Sequence, residues 1–324
     1  MFKNKDGKIR SGWKILLTTL VLFGFILTIT FILQIPLIAY LTKTGDFDVA
    51  TQFASERGKQ IMSYYSKIAM VVQEVLMIII PIISWTKFSK QPLRAMGLDS
   101  LGVHKMEMLS GFVFGFVSIS LVFAGIVVSG NATVTSWKPQ FSLDMILWLV
   151  FFIFVGFAEE IFGRGYIMAI LRQTKSKVMV VLVSAIIFAL LHSGNSGIGL
   201  IPYINLMLVG VLFAFMFIRS GNIWMCIGYH ITWNFFQGFY GFPVSGIGTP
   251  SLIQMTYKEN TIWNGGIFGP EGGLFVTIII IVGVFFVHVY YKDSTYEFLN
   301  EISEKNTNDY EFAAVKDDSL EDRN

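Results

Sequence analysis

Apolar positions in this chain run together in long blocks, and polar positions collect in the gaps between them. The blocks centre on residues 14–40, 67–86, 107–129, 145–170, 178–193, 200–218, 223–240 and 274–291. Each approaches the ~20 residues that a helix needs to cross the hydrocarbon of a bilayer. The fifth and seventh are short and carry polar residues. The pattern predicts an all-α, polytopic membrane protein of about eight transmembrane helices, because only helices or closed barrels satisfy the backbone in lipid. The first block, Trp13 to Tyr40, exceeds the roughly 7–15 apolar residues of a signal peptide and is expected to be retained as a helix.

Charge placement adds orientation. Lys3, Lys5, Lys8 and Arg10 precede the first helix; Lys87, Lys90, Arg94 and Lys105 follow the second. Arg172, Lys175 and Lys177 follow the fourth, Arg219 the sixth and Lys292 the eighth. With basic loops inside, both termini are expected to be cytoplasmic in a multi-pass protein of the cell membrane. The 42–66 loop fits least well, since Lys43, Arg57 and Lys59 fall outside; its 51–66 stretch reads as an interfacial helix entering the second span. Four regions are expected: N-terminal helices with a basic loop over 1–142, a core over 143–240, a Gly-rich outer loop and last helix over 241–292, and an acidic disordered tail over 293–324.

Composition agrees with lipid as the solvent. Hydrophobic residues make up 54% and charged residues 14%, against roughly 25% charged in soluble domains. Mean hydropathy is +0.62. The single cysteine, Cys226, excludes a disulfide within the chain and a cysteine zinc site. A net charge of +2 gives no footprint for nucleic acid.

Against this background, charges inside a span stand out, because each costs ~2.5–3.5 kcal/mol at mid-bilayer on the mildest scale. The fourth span carries Glu159, Glu160 and Arg164. Glu160 and Arg164 are four residues apart and can pair on one helix face. Glu159 points about 100° away and is the carboxylate left for general-base work. His192 ends the fifth span, with Phe188 one turn earlier; His230 lies in the seventh, with Asn234 one turn later. His104, beside a basic loop, is expected to be exposed, and His288 structural. Glu74 in the second span reads as a helix-to-helix hydrogen bond in preference to a lining of the same cavity.

These residue types suffice for amide hydrolysis, which needs an activated water, an oxyanion donor and a proton for the leaving amine. A serine nucleophile is disfavoured: Ser184 and Ser193 lie near His192, but no Gly-x-Ser-x-Gly elbow exists. Glu159, His192 and His230 are also reasonable zinc ligands, although His-Glu-x-x-His is absent. Water activated by carboxylate and water activated by zinc are equally compatible with the sequence.

The order Glu159-Glu160-x-x-x-Arg164, Phe188-x-x-x-His192, His230-x-x-x-Asn234 resembles the CPBP family. That family contains CAAX prenyl endopeptidases of the Rce type and bacterial proteins linked to bacteriocin self-immunity. The resemblance covers roughly 143–240; Asn205, Gly210, Phe213 and the Gly269-Pro270-Glu271-Gly272-Gly273 loop are also similar to members. It implies Glu159 as the water-activating base, supported by Glu160 with Arg164, His192 on the same water, and His230 and Asn234 as the oxyanion site. It also implies an intramembrane endopeptidase, glutamate- or metal-dependent, acting on a hydrophobic or lipid-anchored peptide. Two competing readings are an immunity or scaffold protein of the same family without proteolysis, and a transporter using Glu74, Glu159 and the histidines as a proton relay.

Overall fold

The computed structural model describes residues 2–4, 7, 9–137, 142–258 and 261–299. Eight main helices follow the apolar blocks closely: α1 (Ser11–Thr44), α2 (Glu56–Ile83), α3 (Lys105–Val128), α4 (Leu143–Glu160), α5 (Lys177–Leu191), α6 (Leu200–Ser220), α7 (Trp224–Phe239) and α8 (Leu274–Tyr290). Five described helical segments are long and apolar enough to cross a membrane: α1, α2 with its extension to Phe88, α3, α4 with its extension to Thr174, and α6. The α5 and α8 helices are shorter but apolar. The chain is thus a mostly helical, polytopic membrane protein.

Local chemistry places the helix starts. Ser55, Ser142 and Ser176 each turn a side-chain oxygen back to accept a backbone N–H of the first turn. The Ser55 cap shows that the expected interfacial helix is the first turns of α2 itself, entered from a two-residue ladder of β1 (Phe47–Asp48) and β2 (Phe53–Ala54). A second antiparallel ladder joins β3 (Ala132–Trp137) to β4 (Ile253–Tyr257). It ties the segment before α4 to the outer loop, which is therefore not a plain loop.

The α3 and α7 helices approach closely because glycines line their contact. A Cβ at Gly111 would strike the Met225 carbonyl, one at Gly115 the Tyr229 backbone, and one at Gly228 the Met108 carbonyl. This contact sets the position of α7 and hence of His230 and Asn234. On the other side of α7, a Cβ at Gly156 of α4 would stand 2.7 Å from the Ile231 side chain. Small residues on lipid-embedded helices serve such close approaches.

Beyond Glu160 the fourth helix continues as a π-helical stretch over Ile161–Met168, every residue of which is buried. The Ser184 hydroxyl of α5 donates to the Gly163 carbonyl at 3.1 Å, and the Tyr166 hydroxyl meets Thr18 and Ser84 at 2.7 and 2.9 Å. Past α8 the chain turns back: Phe298 is fully buried and stacks under Arg172, whose guanidinium lies 4.2 Å from its ring. Phe298 of the expected tail over 293–324 thus packs back on the helices, and residues 300–324 lie outside the described part.

Candidate active site

Glu160 and Arg164 sit fully buried on the same side of the fourth helix. Arg164 Nε and Nη1 lie 3.2 Å from the two carboxylate oxygens of Glu160. The guanidinium is held between aromatic rings, 4.4 Å from the Phe188 centroid and 4.9 Å from that of Phe213. Phe188 thus supports the cation directly, and its ring also contacts both His192 and His230. Phe213 does comparable work from α6, a role that no motif spacing singled out.

Glu160 has a second partner. His230 Nδ1 donates to its Oε1 at 3.0 Å, which orients the imidazole and directs Nε2 toward Glu159, 3.9 Å away. His192 is oriented separately: its Nδ1 donates to the Phe188 carbonyl at 2.9 Å. A carbonyl can only accept, so Nδ1 carries a proton and Nε2 is the ring atom left facing the site. That atom lies 4.0 Å from the same Glu159 Oε2. Glu159 Oε2 is buried without a protein donor. The carboxylate and both histidines therefore converge from α4, α5 and α7.

His192, His230 and Asn234 line a cavity whose walls are otherwise mostly apolar, including Leu206, Val209 and Trp233. Its remaining polar lining includes Asn205, Ser245, Glu271 and Tyr229. Glu271 belongs to the Gly-rich loop, folded inward. Its Oε2 accepts from Gln237 Nε2, and its Oε1 accepts from both the backbone N–H and the hydroxyl of Ser245 at 3.1 Å. Burial pushes its carboxyl up to about 7. Asn205 holds the loop from α6, donating to the Glu271 and Gly273 carbonyls at 2.7 and 2.9 Å. The sequence signal for Glu271 was available: a carboxylate flanked by glycines in a loop of little other charge.

Two expectations need correction. Glu74 is buried with an unpartnered Oε2 and makes no helix-to-helix hydrogen bond among the described residues. His104 is buried, not exposed: it contacts Glu107, Asn222 and Asp99. The Glu107 carboxylate 3.2 Å away raises its pKa. His288 lies on the exposed face of α8.

Zinc bonds of about 2.0–2.2 Å need donors that converge on one point. Among the described residues no group of three His, Cys, Asp or Glu side chains is placed to hold a metal ion.

A helical membrane protein whose buried carboxylate faces two oriented histidines is the class that this architecture defines. Residues 141–236 match the family described as type II CAAX prenyl endopeptidase Rce1-like. Comparison with curated proteins and with solved structures gives no match.

Proposed function

We propose that the chain is an intramembrane endopeptidase in which Glu159 activates water without a metal. The observation that carries this reading is the spacing of Glu159 Oε2 from the two imidazole Nε2 atoms, 4.0 Å for His192 and 3.9 Å for His230. A water placed at an ordinary ~2.8 Å from both Glu159 Oε2 and His192 Nε2 subtends roughly 90–100°, near its own bond angle. Both its hydrogens then point at acceptors, and its lone pairs are free for a carbonyl carbon.

The reaction balances with these groups alone. Glu159 takes one proton as the water oxygen bonds to the carbonyl carbon. The carbonyl becomes an oxyanion, received by the Asn234 amide and by His230 when Nε2 carries a proton, a form that the Glu160 carboxylate supports. Glu159 or His192 then delivers the proton to the departing nitrogen as the C–N bond breaks, giving one carboxyl and one amine product. Glu160, Arg164 and Phe188 hold this geometry and take no part in bond making.

The substrate class proposed is a hydrophobic or lipid-anchored peptide reaching the site from the bilayer. The apolar cavity wall and the family's CAAX endopeptidase description support it. Placement in the cell membrane with both termini cytoplasmic rests on the Lys and Arg distribution.

The test compares wild type, Glu159→Gln and His192→Ala in detergent with hydrophobic and prenylated peptides, with and without chelator, read by mass spectrometry. Cleavage by wild type that persists in chelator and vanishes in Glu159→Gln is the expected result. Cleavage that survives Glu159→Gln, or that chelator abolishes, would overturn the mechanism.

A further inference from the structure

Glu271 has no assigned use in this chemistry, yet it lines the same cavity as His192, His230 and Asn234. We infer that Glu271 is a specificity-determining residue that receives the cationic head of a substrate lysine or arginine whose stem lies along the apolar cavity wall. The inference rests on the proposed peptidase reading and narrows its substrate class.

The argument starts from charge. Burying a carboxylate is costly unless it is paired, and the chain solves this for Glu160 by supplying Arg164. Glu271 is also buried, but the described residues supply no cation for it. Its held neighbours are neutral: one glutamine amide, one serine N–H and one serine hydroxyl. An ionised carboxylate accepts at about four positions, and these neutral donors fix its orientation without giving it a charged partner.

The wall supplies the second half. Leu206, Val209, Phe213 and Trp233 surround the space beside it. Such a wall suits the methylene stem of lysine or arginine, which buries its stem and keeps its head on a polar partner. A purely apolar side chain entering here would leave the carboxylate buried and unpaired. A site built this way discriminates strongly against a guest that lacks the matching group. Burial also holds the carboxyl near neutrality, at about 7, where an arriving cation can draw it into the ionised form.

The experiment measures binding directly, so it does not depend on turnover. Fluorescent hydrophobic host peptides carry lysine, arginine or norleucine scanned through their positions. Affinity is read by anisotropy on the full chain in detergent, with Glu159→Gln present to prevent consumption. At one position lysine or arginine should bind at least about tenfold tighter than norleucine. Adding Glu271→Gln should remove that advantage. Adding Asn195→Ala, which releases a tie to the Ser245 carbonyl without touching Glu271, should keep it.

Equal binding of lysine and norleucine peptides, or an advantage that survives Glu271→Gln, overturns the assignment. So does an advantage lost equally in Asn195→Ala, which would make Glu271 a loop fastening only. The wild type's cleavage of the same peptides reports on the parent reading separately. Cleavage without a lysine preference defeats the pocket assignment alone, whereas a Glu271-dependent preference without cleavage supports it and defeats the hydrolase.

Discussion

On one side of the α4 terminus Glu160 is fully buried, ion-paired to Arg164 and hydrogen-bonded to His230. One residue earlier, on the adjoining side, Glu159 keeps an oxygen without any protein donor, between two imidazoles about equally distant. The two carboxylates share a helix and a chemistry, and differ in what surrounds them. Glu160 is neutralised, which makes it part of the framework. Glu159 is held in place and left unsatisfied, which is how a site keeps reactivity that the rest of the fold suppresses.

The sharpest way to break this contrast is to remove each charge in turn. Glu159→Gln should lower cleavage by about a thousandfold while leaving the unfolding temperature in detergent unchanged or raised. A parallel loss of stability would show that Glu159 is also framework. Arg164→Met should do the reverse, costing about 3–5 kcal/mol in unfolding measurements because Glu160 is left as an unpaired buried charge. Combining it with Glu160→Gln should recover most of that loss; no recovery would mean that Arg164 acts chiefly through its stacking on Phe188 and Phe213.

A smaller effect tests the scaffold. Gly111→Leu should force α3 off α7 and destabilise the chain by about 1–3 kcal/mol. Cleavage should fall further than stability predicts, because His230 and Asn234 ride on α7. If activity simply tracks the folded fraction, the glycine contact does not position the site.

The smallest effect concerns the loop. Glu271 is raised from 4.5 to about 7 by burial, so its folded form favours the proton. Its contribution to stability is complete below about pH 4.5 and is lost as pH rises through about 7. The unfolding temperature should therefore decline between about pH 5 and about pH 8, and Glu271→Gln should flatten that decline. An unchanged slope would mean that another group titrates.

The sequence was most legible where physics is local. Apolar run length located the eight main helices to within a few residues at most ends, and four-residue spacing foresaw the Glu160–Arg164 pair. What escaped it was non-local. β3 pairs with β4 across more than a hundred residues of intervening chain, and nothing near Ala132 announces Tyr257 as its partner. Glu74 was misread because hydrogen bonding is the ordinary fate of a carboxylate in a span, whereas its Oε2 is buried here without a partner. His104 was misread because the basic loop beside it suggested water, whereas Asn222 and Glu107 enclose it.

The π-helical stretch at Ile161–Met168 makes length, more than identity, the sensitive variable of the fourth helix. A π turn accommodates one residue beyond what an α turn would hold. A single deletion there would let the helix relax to the ordinary winding and swing everything after it by a large fraction of a turn. Tyr166 would lose Thr18 and Ser84, and Arg164 would leave its aromatic slot. In a library of variants, residue exchanges across 161–168 should thus be survivable more often than a one-codon loss, a pattern usually associated with a gear tooth and not with a filler.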